Sequence, residues 1–351
     1  MIKFALVGCG RISKRHSELL GYNEISGAKL VSVCDIIFSK AKKIADLFNI
    51  LAYDNIDKMM QTEDIDVVVV LTPSGLHAEH VINLSKYRKH IMVEKPMALT
   101  LEDADSMIKA CDSNNCKLFV VKQNRFNVPV AKLREAVELG RFGKIFMGTV
   151  RVRWARHQSY YDQDSWRGTW SMDGGVLTNQ ASHHLDMLEW MVGDIESVFA
   201  KTSTALVDIE VEDTAIVVVK FKNGALGAIE ATTATRPSDL EGSISILGEK
   251  GSVVIGGFAV NKMETWSFEE YQTGDSDILD KYSVNPPNVY GFGHQAYYEH
   301  VVECISNGGS NLVDGLQGRK SIELISAIYE STETGKEVFL NFVPRKCKLG
   351  K

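Results

Sequence analysis

The stretch LTNQASHHLDMLEW, residues 177–190, combines side chains that can exchange protons with the apolar spacing of a helix. Counted along a helix from Asn179, His183 and Asp186 follow at helical spacing, so the three share one face. A buried imidazole needs polar partners, and an amide and a carboxylate on its own face can provide them. The pattern therefore predicts a helix that can accept a proton through His183. The alternatives are a core histidine at 183 and a solvent-facing carboxylate at 186.

Lys95 is a second side chain that could take part in proton transfer. It lies between Glu94 and Pro96, directly after the apolar run HIMV. If this run is a strand that ends at a cofactor, burial and a nearby cationic ring would both lower the pKa of Lys95 and favour proton transfer. The alternative is a solvated loop lysine that pairs with Glu94. We predict Lys95 and His183 as the catalytic residues.

The elements that must position Lys95 begin with a strand, a glycine turn and a helix. The apolar run IKFALV is followed by Gly8 and Gly10 and then by a helical pattern, as in sites that bind a dinucleotide pyrophosphate. A second run, AKLVSVC, ends at Asp35, whose carboxylate can bind an adenosine ribose and would repel a 2′-phosphate. NAD is therefore favoured over NADP. Because Ser13 replaces the third glycine of the motif, a glycine turn of an unrelated α/β unit is the alternative.

Further apolar runs alternate with helical patterns up to residue 123, which predicts a parallel sheet covered by helices on both faces. Such sheets bind their ligands at the carboxyl ends of the strands. The predicted NAD-binding residues therefore lie at or just after strand ends. They are Gly8, Gly10, Arg11, Ile12, Asp35, Thr72, Ser74, His77, Glu94, Lys95 and Gln123.

From residue 124 onwards, long segments of alternating apolar and polar residues are typical of antiparallel strands. Two of these runs meet at Asn223 and Gly224, which predicts a hairpin with a type I′ turn. A connection at 159–177 is rich in aromatic residues and glycine and contains Arg167. This composition favours a binding loop, and a packed Ω-loop is the alternative.

These segments predict an α/β chain of two domains, in line with its 351 residues. Residues 1–123 form an N-terminal Rossmann dinucleotide-binding domain. Residues 124–351 form a C-terminal α+β domain with a large, mostly antiparallel sheet, for substrate binding and oligomerisation. The C-terminal helix can pack back on the first domain.

The composition narrows the class of partner. The net charge is −6 and no long run of Lys or Arg is present, so neither nucleic acid nor a membrane is expected as a partner. No apolar run reaches the length of a membrane span, and six cysteines without a CxxC spacing are typical of a reducing cytoplasm. No metal site is expected, since the adjacent His183 and His184 point about 100° apart on a helix.

Several short motifs together resemble the Gfo/Idh/MocA oxidoreductases over essentially the whole chain. They are GCGRI with His16, VCD, TPSGLH, EKPMA, KQNRF, WRGTW and NQASHHLDMLEW. The resemblance implies NAD as cofactor and a homotetramer. It also implies that an EKP lysine and a helix histidine, here Lys95 and His183, flank the substrate hydroxyl. The usual helix motif begins with an aspartate where this chain has Asn179, which argues against a polyol dehydrogenase of the inositol type.

Longer stretches, among them YYDQDSWRGTW, DIEVEDT and NVYGFGHQAYY, resemble the WlbA-type members of this family. Those enzymes oxidise the C3 hydroxyl of UDP-N-acetyl-glucosaminuronic acid (UDP-GlcNAcA) in the synthesis of diamino-uronates for bacterial surface polysaccharide, and they share the asparagine. The resemblance implies the same reaction here, with the UDP-sugar as substrate and 2-oxoglutarate as a candidate oxidant of NADH.

The predicted substrate-binding residues are Lys95, Arg156, Tyr160, Tyr161, Asn179, His183, Tyr290 and His294, and Trp166 and Arg167 are predicted to contact the cofactor. Arginines suit a substrate that carries a pyrophosphate and a carboxylate. Two other functions stay open: an NAD-dependent polyol or sugar dehydrogenase, and an NAD-binding homologue without catalysis. The presence of both Lys95 and His183 argues against the second of these.

Overall fold

The computed structural model describes residues 1–283, 293–309 and 311–351. The chain divides into two compact units. The first unit consists of Met1–Lys122 together with His294–Ile322, and the second of Gln123–Gly293 together with Glu323–Lys351. The two sheets described below, one parallel and one mostly antiparallel, confirm the predicted fold class.

The first unit is built on a six-stranded sheet in the order β3-β2-β1-β4-β5-β6, in which every neighbouring pair is parallel. The strands are rich in β-branched residues and are buried on both faces, as expected of a sheet that helices cover on each side. The strands are β1 Ile2–Val7, β2 Ala28–Cys34, β3 Leu51–Tyr53, β4 Val67–Val70, β5 His90–Val93 and β6 Leu118–Val120. The connecting helices are α1 Ser13–Gly21, α2 Phe38–Phe48, α3 Ile56–Thr62, α4 His77–Ser85 and α5 Leu101–Ser113.

Side-chain caps fix where two of these helices begin. The Asn55 side chain accepts a hydrogen bond from the Lys58 N–H at the start of α3, and Thr100 accepts one from the Asp103 N–H at the start of α5. Asp103 in turn accepts a hydrogen bond from the Thr100 hydroxyl at 2.7 Å. These caps satisfy N–H groups that a helix leaves without partners in its first turn.

The segment 294–322 belongs to the first unit, whereas the predicted division at 123/124 placed it in the second domain. It packs along β6, where the Val120 N–H donates to the Val313 carbonyl at 2.8 Å and the Asn311 side chain donates to the Leu118 carbonyl at 3.2 Å. The helix α10, Gly293–Ser306, adds Tyr298, which is fully buried and packs edge-on against Phe4. The apolar pattern of this helix marks the face that is buried, but it carries no information about which sheet covers that face.

The second unit contains an eight-stranded sheet in the order β13-β12-β11-β7-β10-β9-β8-β14, antiparallel except for the β10–β7 pair. Its strands are β7 Ile145–Arg153, β8 Ile195–Ser203, β9 Thr214–Phe221, β10 Leu226–Thr232, β11 Glu241–Gly248, β12 Gly251–Gly256, β13 Lys262–Phe268 and β14 Val338–Phe339. The helices are α6 Val128–Glu138, α7 Gln158–Tyr161, α8 Ser182–Val192, α9 Ile278–Lys281 and α11 Gly315–Thr334, the last of which begins in the first unit.

One face of this sheet is covered and the other is not. Along β9, residues alternate between buried and exposed, with Val217 and Val219 buried and Ile216 and Val218 exposed. The helix α8 packs on β7 and β11, and it comes so close at Gly148 that a Cβ there would lie 2.6 Å from the Val192 side chain. The sheet therefore holds α8, the helix that carries His183, in a fixed position.

The predicted hairpin forms between β9 and β10, but the predicted turn type is wrong. A type I′ turn needs positive φ at both central residues, and of Asn223 and Gly224 only the glycine has it, at +87°. The Gly224 N–H donates to the Phe221 carbonyl at 2.9 Å, and the connection between the strands is longer than two residues. Longer hairpin loops place a single glycine in the left-handed region, and this one does the same.

Within the described residues, no helix is both long enough and apolar enough to cross a membrane.

Substitution of the two glycines of the first turn should separate folding from cofactor binding. Gly8 has a φ of +98°, and a Cβ there would lie 2.8 Å from the Leu71 backbone. We expect Gly8→Ala to lower the free energy of unfolding by about 1–3 kcal/mol, measured by urea denaturation. Gly10→Ala is the matched control, because a Cβ at Gly10 meets no atom within 4 Å.

Gly10→Ala should unfold as the wild type does and should bind NADH at least about tenfold more weakly, because the added methyl group would occupy the predicted path of the pyrophosphate. Equal unfolding midpoints for the two variants, or wild-type affinity of Gly10→Ala for NADH, would contradict this assignment.

A buried ion pair in the second unit provides a second test. Arg125 donates to both carboxylate oxygens of Asp186 at 2.7 Å, and both side chains are about 5% exposed. Asp186→Ala would remove the carboxylate that binds the buried guanidinium through two hydrogen bonds, so we expect a loss of about 3–5 kcal/mol in the free energy of unfolding. Asp46→Ala removes the carboxylate of the exposed Lys42–Asp46 pair and should leave the unfolding midpoint unchanged. Similar midpoints for both variants would disprove the structural role of Asp186.

Candidate active site

The turn after β1 has the geometry of a dinucleotide site. Asp35, at the end of β2, accepts hydrogen bonds from the Cys9 N–H at 2.7 Å and from the Ile37 N–H at 2.8 Å, one on each carboxylate oxygen. These bonds fix the carboxylate, and each oxygen keeps a second lone pair that a ribose hydroxyl can use. The space beside Gly10 leaves room for the pyrophosphate. The residues present therefore fit NAD.

The side chain of His77 fixes the loop after β4 through hydrogen bonds to backbone carbonyl groups. Both ring nitrogens of His77 lie 2.8 Å from carbonyl oxygens, Nδ1 from that of Pro96 and Nε2 from that of Thr72. The Thr72 hydroxyl contacts Nδ1 of His80 at 3.0 Å, and Ser74 is buried at the first position of a short 3₁₀ helix. Burial lowers the pKa of His77. His77 thus ties the ends of two strands together, and its direct contact with NAD stays a prediction.

Glu94 is a buried carboxylate next to the candidate catalytic lysine. Its Oε2 accepts the Lys95 N–H at 2.9 Å, and its Oε1 lies 3.1 Å from Nε2 of His16, whose Nδ1 lies 2.6 Å from the Tyr298 hydroxyl. Burial opposes ionisation of Glu94, but its hydrogen bond to His16 and its electrostatic interaction with His16 outweigh burial and hold the pKa of Glu94 at about 2. Glu94 is therefore an anion that fixes the backbone at Lys95.

His294, predicted to bind substrate, is placed in this same cluster. It is fully buried, and its ring lies edge-on to His16 with centroids 5.4 Å apart. Burial lowers the pKa of His294 to about 3, so it is neutral. Ligand atoms of His16, Glu94 and His294 all lie within 4.8 Å of one another, which is close enough to hold a metal ion. His16 already uses both ring nitrogens in hydrogen bonds. We therefore infer that the cluster holds Glu94, which fixes the backbone at Lys95, rather than a metal ion.

Gln123 has the property expected of a side chain that binds a ligand. It is only 4% exposed, and its Oε1 has no hydrogen-bond partner among the residues that the structure describes. A buried acceptor without a partner is costly unless a ligand satisfies it.

The segment that contains Asn179 and His183 is less helical than predicted. The helix α8 begins at Ser182, so Asn179 lies in the turn before it and not on the helix. The Asn179 N–H donates to the Gly175 carbonyl, and its side chain donates to Asp173 at 2.5 Å. Asp173 also accepts the Gly168 N–H at 2.9 Å. The turn before α8 and the helix itself have the same apolar spacing. The sequence pattern therefore could not show that the helix begins only at Ser182.

The two histidines of α8 differ in environment. His183 is 8% exposed, and His184 is fully buried edge-on against Trp154. Burial lowers the pKa of His184 to about 3, which makes it a neutral packing residue. Asp186, expected either to orient His183 or to face solvent, is buried and forms the ion pair with Arg125 described above. His183 therefore lies on a helix that is fixed by a packed histidine and by a buried ion pair.

The predicted binding loop brings aromatic and basic side chains together. Arg167 stacks on Trp166 at 4.4 Å and on Tyr160 at 4.8 Å and pairs with Asp164, while Arg156 lies 5.6 Å from the Tyr160 ring. Tyr161 is buried and its hydroxyl contacts Thr233 at 3.1 Å, so it packs against the end of β10. Tyr290 lies outside the described residues.

Sequence reasoning did not single out Glu212 and Tyr329, which lie beneath the turn that carries Asn179. Glu212 accepts the Leu177 N–H and the Tyr329 hydroxyl, each at 3.0 Å. Burial raises the pKa of Glu212 to about 7. The signal that could have found it is an acidic residue within DIEVEDT, next to a strand whose alternate residues are apolar.

Two solved structures are similar to this chain over nearly its whole length. The WlbA dehydrogenase of Chromobacterium violaceum, in complex with NADH and UDP-GlcNAcA, is 44% identical, with a TM-score of 0.91 over 97% of this chain and 96% of that chain. The WlbA dehydrogenase of Bordetella pertussis, with the same ligands, is 40% identical, with a TM-score of 0.89 over 97% of this chain and 99% of that chain. The myo-inositol 2-dehydrogenase of Thermotoga maritima is 29% identical over 97% of this chain and 99% of its own length.

Two family models match the chain in succession. The model of an oxidoreductase family, NAD-binding Rossmann fold, matches residues 2–122, the part that contains the parallel sheet and the Gly8–Gly10 turn. The model of an oxidoreductase family, C-terminal alpha/beta domain, matches residues 134–340. These matches confirm the predicted family and NAD as the cofactor. The chain therefore belongs to the Gfo/Idh/MocA oxidoreductase family and is an NAD-dependent dehydrogenase that acts on a CH–OH group.

Proposed function

We propose that the protein oxidises the C3 hydroxyl of UDP-GlcNAcA to the 3-keto sugar, as a step towards diamino-uronates for surface polysaccharide. The observation that carries the proposal is the 40–44% identity, over 97% of this chain, to two dehydrogenases that were solved with NADH and UDP-GlcNAcA. The relative that acts on myo-inositol is 29% identical. Greater similarity over the same span favours the nucleotide sugar over the free polyol.

NAD, when bound, accepts the hydride from C3. Asp35 binds the adenosine ribose, and the turn at Gly8 and Gly10 binds the pyrophosphate. Gln123 offers its buried Oε1 to a cofactor donor. Arg11, Ile12, Trp166 and Arg167 are further contacts of the cofactor.

Lys95 and His183 hydrogen-bond the C3 hydroxyl, and one of them takes its proton as the hydride leaves. The Lys95 backbone is fixed by the Glu94 anion, which contacts His16, and α8 holds His183 beside the buried Asp186. A fixed proton acceptor lowers the barrier because the acceptor does not have to be reoriented in the transition state.

The second unit supplies groups that suit an anionic sugar. Asn179 is oriented by Asp173 and can bind a sugar substituent without adding a charge near the substrate carboxylate. Arg156 uses Nη1 to bind Asp239 and the Ala155 carbonyl, so its remaining N–H groups can bind a carboxylate or phosphate. Tyr160 stacks beside both arginines of the loop.

The partners proposed from the resemblance are a homotetramer and 2-oxoglutarate as the oxidant of NADH, with the reaction in the cytoplasm. A subunit interface is supported by the uncovered face of the eight-stranded sheet, where large apolar side chains are 39–56% exposed. They include Phe199, Ile216, Val218 and Leu226.

The second candidate function is an inositol-type dehydrogenase, which the relative from Thermotoga maritima favours because it aligns over its full length. Steady-state assays with NAD and either UDP-GlcNAcA or myo-inositol decide between the two. We expect turnover of the UDP-sugar and none of inositol, because a pocket that binds a UDP-uronate leaves polar groups without partners when a bare polyol enters. Turnover of inositol alone would overturn the proposal.

The assigned chemistry predicts that Lys95→Ala and His183→Ala each reduce kcat for UDP-GlcNAcA by about 10²–10⁴-fold, the usual loss when a general acid or base is removed. NADH affinity, measured by fluorescence, should change much less for His183→Ala, since the predicted NAD-binding residues do not include it. Lys42→Ala, at an exposed position on α2, is the control and should keep wild-type kcat.

If both Lys95→Ala and His183→Ala keep kcat within about threefold of the wild type, neither residue takes part in proton transfer, and the roles given to them are wrong.

A further inference from the structure

Glu212 is a buried carboxylate that has no role in the chemistry described so far. It is 4% exposed, and within the described part of the chain it forms no ion pair. Its Oε1 accepts two neutral donors, the Leu177 N–H and the Tyr329 hydroxyl. Its Oε2 is buried without a hydrogen-bond partner among the described residues and lies against Gly175, where a Cβ would overlap the carboxyl group.

Every residue from 175 to 178 is hydrogen-bonded to Glu212 or Tyr329, the pair that we call the anchor. The Gly175 N–H donates to the Tyr329 hydroxyl at 3.2 Å, and Thr178 contacts the same hydroxyl at 3.0 Å. The Val176 N–H donates to the Glu212 backbone carbonyl at 3.0 Å, and the Leu177 N–H binds the Glu212 side chain. The anchor therefore holds the backbone immediately before Asn179.

This anchored segment leads directly into the predicted substrate residues. The Asn179 N–H donates to the Gly175 carbonyl at 2.9 Å, and the Ala181 N–H donates to the Val176 carbonyl at 2.8 Å. The helix α8 starts one residue later, at Ser182. A shift of the anchor would therefore move Asn179 and the first turn of α8, which carries His183.

We propose that Glu212 is a positioning residue for the reaction: its buried carboxyl group, hydrogen-bonded to Leu177 and Tyr329, holds the turn that places Asn179 and His183. The inference rests on the proposed function, because it takes the reacting sugar to be bound by these two residues. Among the described residues no Lys, Arg or His forms an ion pair with Glu212, so ionisation of this buried carboxyl group would disturb the turn.

The groups that face Glu212 agree with an uncharged carboxyl. Burial raises the pKa of Glu212 to about 7, and the negative charge of Asp173 acts in the same direction. From the other side, α11 contributes Tyr329, whose pKa burial raises well above its usual value, so it stays neutral. Two hydrogen bonds to Oε1 favour the anion but do not outweigh burial.

The experiment compares kcat/KM for UDP-GlcNAcA between pH 6 and 8.5 in the wild type, Glu212→Gln and Glu212→Ala. Glutamine keeps the shape and the acceptor oxygen and stays neutral at every pH. We expect Glu212→Gln to lie within about threefold of the wild type at pH 6, and the ratio of variant to wild type to rise at least about fivefold by pH 8.5, as Glu212 ionises only in the wild type. The ratio cancels the titration of every other group.

Glu212→Ala should lower kcat/KM at least about tenfold at pH 6 and leave the affinity for NADH within about twofold, because the turn is loosened and the dinucleotide site is not. If this variant does not fold, Tyr329→Phe removes one hydroxyl and should lower kcat/KM about threefold to tenfold. Glu210→Gln is the matched control, an exposed carboxylate two positions earlier whose ratio to the wild type should not change with pH.

A ratio of Glu212→Gln to wild type that stays flat from pH 6 to 8.5, with active wild-type protein, would overturn the positioning role and leave the proposed function intact. Wild-type protein that does not turn over UDP-GlcNAcA would overturn the proposed function and this inference with it.

Discussion

The parallel register of the first sheet is the constraint on which the candidate site depends. Val7 pairs with Cys34 on one side and with Val70 on the other, and Val70 pairs with Val93. The backbone hydrogen bonds continue one residue beyond these pairs, for example from the Gly8 N–H to Cys34 and from the Glu94 N–H to Val70. Residues that are far apart in the sequence therefore emerge side by side at one edge. In spatial order they are Asp35, Gly8, Leu71 and Glu94.

Two buried glutamates show how environment sets the charge of a side chain. Glu94 has His16 as a partner and remains an anion, whereas Glu212 meets neutral donors and the nearby Asp173, and its pKa is raised. Each carboxyl group hydrogen-bonds backbone beside a residue that we assign to the reaction. The Glu94 anion holds the strand end at Lys95, and the Glu212 carboxyl group, with its raised pKa, holds the turn before Asn179. Both glutamates bind the backbone, so they would affect the reaction by positioning the residues that contact the substrate.

Much of the first unit could be predicted from its sequence, because a buried parallel strand needs a continuous apolar run and each run is followed by a glycine or polar group. The short β3 and α3, at Leu51–Tyr53 and Ile56–Thr62, could not be predicted in this way, because their patterns are too brief to stand out. It placed Asn179 on the helix because a helical turn and a helix share one periodicity. It could not assign the segment 294–322 to a sheet, since apolar spacing identifies a buried face and not its partner.

Side-chain pairing was the least predictable feature. Asp186 lies one helical turn from His183, yet its bidentate partner is Arg125, which is distant in sequence. His294 follows an aromatic, glycine-rich stretch typical of binding loops, but the structure buries it beside His16. Glu212 gave no local signal of its raised pKa, because that shift arises from burial by residues elsewhere in the chain. The sequence could identify which groups are able to do chemistry, and the tertiary fold decided which of them support others.

The most direct test of the proposed reaction uses UDP-GlcNAcA labelled with deuterium at C3, incubated with NAD and the purified protein. We predict that the deuterium is transferred to C4 of the nicotinamide and that C3 becomes a ketone, both read by NMR and mass spectrometry. Formation of NADH with the deuterium still in the sugar, or no NADH formation from this substrate, would contradict oxidation at C3.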